Sequence, residues 1–390
     1  MHWQGYCQKY GASVTPLQHR VAAAIMQCRT EALGGHFLQC NACGHREVAY
    51  NSCRNRHCPK CQGNKAAEWV AERSDELLPV PYFHAVFTLP HELNELVLMN
   101  KRLMYELLFK AASRTLLTIG RNNLKCQLGF FSVLHTWGQA LTLHPHLHVV
   151  IPGVGISLDG TKAVPLKKKR YLISDKILSL VFRGKFISLL KRARKAGELR
   201  GEFDDFEAFL NRTVSSNWVV RTKPPFGGPE VVLKYLARYT HRVAIGNSRI
   251  LSVTEDSVTF RYKDYRTKES DKQMTLSAFE FIRRFLLHLL PSHFVRVRYY
   301  GFLARGFKAK ALLVLRRELK ALPIAKPALN PHSIICSCCT TGILIKIAEI
   351  PRTRPCFKAT STRCRTARVD FADGIARISA RSNTDHYVSY

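Results

Sequence analysis

Three sets of side chains in this sequence have types and spacings suited to chemistry. The first is two Cys-x-x-Cys pairs, Cys40-Asn-Ala-Cys43 and Cys58-Pro-Lys-Cys61, separated by a loop. Each pair lets two thiolates grip one side of a tetrahedral ion, so the four together predict one closed structural zinc site. Cys53, His57 and His45 are alternative ligands close by. A closed site does no chemistry itself; it would fold its segment and present Arg46, Arg54, Arg56 and Lys60 to a polyanion. Buried thiols or a redox pair would be the plainer reading, which two paired spacings in a basic context disfavour. Cys336-Ser-Cys-Cys339 repeats the spacing near the end, but Cys356 and Cys364 are too distant to make a convincing second pair.

The second set is Leu143-His144-Pro145-His146-Leu147-His148-Val149-Val150. Alternation in a strand would point His144, His146 and His148 one way and leave Leu147 and Val149 to the core. At about 3.3 Å per residue, His146 and His148 lie about 6.6 Å apart along the backbone, and His144 and His148 about 13 Å. The His146/His148 pair is therefore favoured as metal ligands. A third ligand is open: His144, His135 on the neighbouring strand, or a residue of the tyrosine helix described next. Coordination positions left over would suit phosphate oxygens and water, hence phosphodiester chemistry. Histidines that merely hydrogen-bond their strand are the alternative.

The third set is Tyr235-Leu-Ala-Arg-Tyr239. On a helix, two phenols four residues apart share a face one turn apart. Lys234, Arg238 and Arg242 would neutralise phosphates and favour tyrosinate over a phenol whose ordinary pKa is about 10. Alone, such a pair is ordinary core packing. Beside a histidine strand it supplies the nucleophile that a metal site lacks.

These sets need a frame to hold them. Apolar spacing predicts helices over residues 15–26, 64–78, 92–117, 175–196, 230–242, 279–290 and 308–322, and strands over 82–89, 129–136 and 140–151. Hairpin strands are expected about Gly246-Asn247 and Lys263-Asp264. Pro79 and Pro81 punctuate the chain, so residues 1–78 read as a helical lead with a metal module, 79–322 as the main domain, and 323–390 as a poorly ordered basic tail. The fold class is α+β, with an antiparallel sheet and helices.

Charge names the partner class. The chain of 390 residues has 60 Lys and Arg against 28 Asp and Glu, a formal net charge of +32, which points to a polyanion. The absence of an apolar run of about 18 residues argues against a membrane partner. Cysteines clustered with histidine suggest a reducing compartment, taken to be the cytoplasm.

The run from Asn51 to Gln62, the His146-Leu147-His148 strand and the Tyr235 to Arg242 helix, in that order, resemble the rolling-circle transposases of the insertion sequence ninety-one family. The resemblance spans roughly Tyr6 to Leu315 and does not reach past Thr340. It implies an HUH nuclease domain that depends on Mg²⁺ or Mn²⁺, behind an N-terminal zinc module. It further implies single-stranded DNA ends of a mobile element as substrate, host replication proteins as further partners, and Tyr235 and Tyr239 as nucleophiles. Arg54, Arg56, Lys60, Lys234, Arg238 and Arg242 are the expected DNA contacts. Competing readings are a plasmid replication initiator or relaxase, a histidine-triad nucleotide hydrolase, and a non-catalytic zinc protein that binds nucleic acid. Pro145 and the excess charge count against the hydrolase.

Overall fold

The computed structural model describes residues 2–62, 69, 72–166, 172–226, 244–264, 271–322, 334–353, 367–372 and 375–380. In chain order its strands are β1 (Gly35–Cys40), β2 (Arg46–Tyr50), β3 (Tyr82–Thr88), β4 (Gly129–Trp137), β5 (Leu143–Pro152), β6 (Val154–Ile156), β7 (Ala163–Pro165) and β8 (Val220–Phe226). There follow β9 (Ile250–Val253), β10 (Ser257–Tyr262), β11 (Lys272–Ser277), β12 (Val297–Gly301), β13 (Ile334–Ile335), β14 (Ile343–Ile350), β15 (Ala367–Ala372) and β16 (Ile375–Ala380). The architecture is α+β with antiparallel sheets, as the pattern of elements implies.

The centre is a five-stranded sheet in the order β12-β4-β5-β3-β8, antiparallel throughout. One face carries Phe83, Ala85 and Phe87 of β3, Leu147, Val149 and Ile151 of β5, and Phe130 and Leu134 of β4. These pack with helices Lys101–Asn122 and Asp175–Lys195, which supply among others Leu108, Leu116, Phe182 and Phe186. Burying each Leu or Phe contributes about 1.5–3 kcal/mol. This sheet is therefore held by its own core and needs no metal to form.

Several elements differ from the expectation. The long helix expected over 92–117 is two helices, Asn94–Met99 and Lys101–Asn122. Asn100 leaves helical geometry between them; its amide donates to Leu96 O and Arg200 O, and its carbonyl oxygen accepts from Arg200 N at 2.8 Å. Of the helix expected over 64–78, residues 64–68, 70 and 71 lie outside the described residues; 69, 72 and 73 are helical as expected, and the helix gives way early to a 3-10 turn, Ser74–Glu76. The hairpin of β9 and β10 turns at residues 254–256, where Thr254 Oγ1 accepts from Ser257 N at 3.0 Å, and not at Gly246-Asn247. The expected tyrosine helix over 230–242 lies outside the described residues.

A second sheet, in the order β13-β14-β1-β2, joins residues from both parts of the sequence. β14 pairs with β1 from Gly35↔Ile350 to Cys40↔Leu344. Residues 334–350, which the sequence reading assigned to the tail, are thus part of the N-terminal module. Helix His2–Tyr10 packs on helix Ala278–Leu287, with the Tyr6 and Phe279 rings 5.9 Å apart. No helix of the described residues is long and apolar enough to cross a membrane.

Candidate functional site

Cross-strand register assembles the histidine site on the face of the central sheet opposite the core. His135 of β4 is paired with His146 of β5, and Val133 with His148, so all three imidazoles project from one surface. Their ligand nitrogens lie within 4.8 Å of one another. His146 Nε2 and His148 Nε2 are 3.1 Å apart. Two nitrogens each about 2.1 Å from one ion would be separated by roughly 3.0–3.4 Å, so this pair fits a shared metal.

The outer hydrogen bonds aim these rings. His146 Nδ1 is 2.7 Å from His144 O. A carbonyl only accepts, so Nδ1 carries the proton and Nε2 keeps its lone pair for a ligand role. His148 Nδ1 lies 2.9 Å from His84 Nε2, with the two rings stacked. Burial, then Lys223 and His146, push the His84 pKa down to about 3, so it is a neutral partner. The His135 ring is buried and stacks on Trp137 at 4.7 Å. Underneath, Leu147 and Val149 are fully buried.

Of the third ligands considered, His135 joins the pair. His144 does not: it is exposed, and it contributes its backbone carbonyl to the site. The physical reason is that His135 sits directly across the ladder from His146, whereas His144 and His148 are two alternate positions apart on one strand. Sequence reasoning missed His84, Arg221 and Lys223. The last two alternate along edge strand β8, paired with Val86 and His84 respectively, and are exposed on the histidine side. The Arg221-Thr-Lys223 alternation was their available signal. Tyr235, Tyr239, Lys234, Arg238 and Arg242 lie outside the described residues.

The cysteines form two tetrads, which corrects the single site expected. Cys58 and Cys61 meet Cys28 and Cys53; Cys40 and Cys43 meet Cys336 and Cys339. In the first tetrad Cys28, Cys58 and Cys61 are buried, and Cys53 Sγ and Cys61 Sγ are 3.8 Å apart. That is the separation of about 3.8 Å expected for two sulfurs each 2.3 Å from a tetrahedral ion. Cys40 and Cys43 are carried away from Cys58 because β1 and β2 form a hairpin with the first pair at its turn. Cys53 is a ligand-geometry member, as one alternative had it, while His45 and His57 belong to neither tetrad. Burial with nearby Arg56 drives His57 down to about 3.

Two of the expected DNA contacts have hydrogen-bond partners within the chain. Arg56 donates to Phe294 O at 2.6 Å and Pro291 O at 2.9 Å, docking the module on the main domain. Lys60 donates to Cys28 O at 3.3 Å. Arg54 is exposed.

The chain matches two families: "Putative transposase" over residues 129–311 and "Transposase zinc-binding domain" over residues 1–89. A Sinorhizobium fredii protein named "Putative transposase y4qJ" is 46% identical over 336 residues, covering 83% of this chain and 84% of that one. This chain belongs to the insertion sequence ninety-one transposases. The transposase for insertion sequence element IS801 of Pseudomonas savastanoi pv. phaseolicola is also similar, 27% identical over 336 residues and covering 81% and 80% of the two chains. No solved structure matches. The zinc-binding match contains all four cysteines of the first tetrad, and together with their geometry it supports structural zinc in this transposase. DNA is the partner that membership of the family implies.

Proposed function

We propose that this transposase cuts and rejoins single-stranded DNA at the ends of a mobile element, using Tyr235 and Tyr239 as nucleophiles beside a divalent ion held by His135, His146 and His148. The observation that carries the reading is the cluster of three imidazoles on one sheet face, two of them with Nε2 atoms 3.1 Å apart. A purely structural histidine strand has no need of three rings turned to one point. When bound, the ion would polarise the scissile phosphate. Nitrogen donors favour Mn²⁺ over Mg²⁺, which keeps to oxygen ligands.

The remaining roles fall to the chain itself. A tyrosine loses its phenolic proton and attacks phosphorus; the new O–P bond holds the 5′ end as a phosphotyrosine, and the P–O3′ bond breaks to leave a 3′ hydroxyl. Attack of a 3′ hydroxyl on that ester reverses the step and rejoins the strand. The ester conserves the bond energy, consistent with the absence of a Gly-x-x-x-x-Gly-Lys-Ser/Thr loop from the sequence. Arg221 and Lys223 would neutralise the phosphate at the edge of the sheet, and His84 holds His148 in place. The chain either side of the tyrosine segment supports the reading. Phe226 is paired with Tyr82 on β3, and Ala244 is buried in a cluster that packs against Trp137, the ring stacked on His135.

The test is incubation with labelled single-stranded DNA carrying the element's ends and Mn²⁺ or Mg²⁺, scored for a denaturant-resistant protein–DNA adduct. The adduct is expected with wild type, and lost in the Tyr235→Phe/Tyr239→Phe double variant and in His146→Ala. Tight binding by wild type without any adduct would instead favour a non-catalytic zinc protein.

A further inference from the structure

The second tetrad straddles the edge of what the zinc-binding match covers. Cys40 and Cys43 lie within residues 1–89, whereas Cys336 and Cys339 lie far beyond them. We propose that these four cysteines hold a second zinc ion in a ribbon built from two remote parts of the chain, so that the metal clasps residues 334–350 to the N-terminal module.

Sulfur geometry is the first support. Cys40 Sγ and Cys339 Sγ are 3.6 Å apart, and Cys43 Sγ and Cys336 Sγ are 3.7 Å apart. These contacts cross between the two pairs, and both match the roughly 3.8 Å separation of sulfurs around one tetrahedral zinc. They are far longer than a disulfide bond, about 2.05 Å.

The two turns also share three hydrogen bonds. Gly44 N donates to Cys40 O at 3.1 Å, as Thr340 N does to Cys336 O at 3.0 Å. Ala42 N reaches Cys40 Sγ at 3.4 Å, as Cys338 N reaches Cys336 Sγ at 3.4 Å. Cys40 N donates to His45 O, and Cys336 N to Gly342 O, each at 2.8 Å. Backbone N–H groups turned onto sulfur stabilise the thiolate, the form that binds metal. Each turn closes a hairpin, the first joining β1 to β2 and the second β13 to β14.

The two knuckles are fitted to each other. Asn41 N donates to Ile343 O at 3.1 Å, and Ile343 N donates to Asn41 Oδ1 at 2.8 Å. A Cβ built on Gly342 would lie 2.3 Å from Cys40 Sγ, so only glycine admits this approach. The apolar residues around the tetrad are few: Leu38 and Leu344, with Ala49 packed against them. So small a cluster adds little to the β1–β14 ladder in offsetting the entropy of joining cysteines 293 and 299 positions apart in sequence. A metal that binds the folded arrangement supplies what the core lacks.

Zinc content of the purified full-length chain, measured by native mass spectrometry, tests the clasp without reference to DNA cleavage. Wild type is expected to carry two zinc ions, and Cys336→Ser/Cys339→Ser one. Cys338→Ser, which alters the exposed thiol between them that is outside the tetrad, should keep two. Titration of metal-free wild type with Co²⁺ guards against a variant that misfolds, and should saturate at two thiolate-bound ions per chain. Two ions retained by the double variant, or a single ion in wild type by both measurements, would overturn the proposal. It stands apart from the nicking reading, since either can fail while the other holds.

Discussion

The histidine face and the cysteine module solve the problem of placing ligands in opposite ways. His135, His146 and His148 stand on adjacent strands over a thick apolar layer, so the sheet fixes them whether or not an ion is bound. The first cysteine tetrad has little core of its own: Cys28, Cys58 and Cys61 are the buried residues, with Ile25 and Cys53 packed against them. There the ion would make the structure, whereas at the histidines the structure would make the ion site. Mutations should therefore act on folding in one region and on chemistry in the other.

The largest expected effect lies in the module. Cys58→Ser should unfold it, with a loss on the order of 10 kcal/mol of metal-binding free energy, read as lost zinc and rapid proteolysis of the first 60 or so residues, with the central sheet intact. A stable, zinc-free but folded module would break the contrast. Next is His135→Ala, expected to cut metal-dependent nicking by more than the roughly 10–100-fold typical of lost supporting groups, at unchanged thermal stability. His144→Ala should stay within a few-fold, because its contribution is a backbone carbonyl; equal losses in the two would restore His144 as a ligand.

His84→Phe removes the hydrogen-bond partner behind His148 and should weaken Mn²⁺ binding roughly 10–100-fold by calorimetry. Arg56→Ala should cost about 2–3 kcal/mol in thermal unfolding while leaving the salt dependence of DNA binding alone; Arg54→Ala should do the reverse. A smaller, pH-limited effect belongs to His288, which donates from Nε2 to Leu141 O at 3.0 Å. Burial, helped by Lys101, holds its pKa down at about 4 against an ordinary 6.5. Below pH 6.5 the unfolded chain then binds the extra proton, so stability should fall as pH drops from about 6.5 towards 4, by roughly 3 kcal/mol over the full window. His288→Gln should flatten that slope in urea titrations at several pH values.

How far each site could be read in advance follows from how its residues are spaced. His146 and His148 are adjacent alternate positions of one strand, and strand periodicity is local, so their convergence was legible from the sequence. His135 needed the register of β4 against β5, which no single strand encodes. Cys28 went unread because it lies just past the end of helix Pro16–Gln27 with no cysteine at short spacing. The alternation of Ile343, Ile345 and Ile347 was a strand signal that the reading of 323–390 as a poorly ordered tail passed over, and only β1 beside it turns that strand into part of the N-terminal module. Arg56 looked like a phosphate ligand by charge, and its two carbonyl partners lie some 235 and 238 residues away.

By itself the sequence determined the charge, the α+β class, the zinc-type spacing, the order of motifs that marks the family, and the facing of the histidine strand. These depend on composition and on interactions within a few residues. Tertiary structure alone decided which cysteines share a site, that His135 and not His144 completes the histidine cluster, and that Arg56 docks a domain. Each of those pairs partners that the chain brings together only by folding. A Cys-x-x-Cys pair states half of a tetrahedron, and the other half is chosen by whichever strands pair beside it.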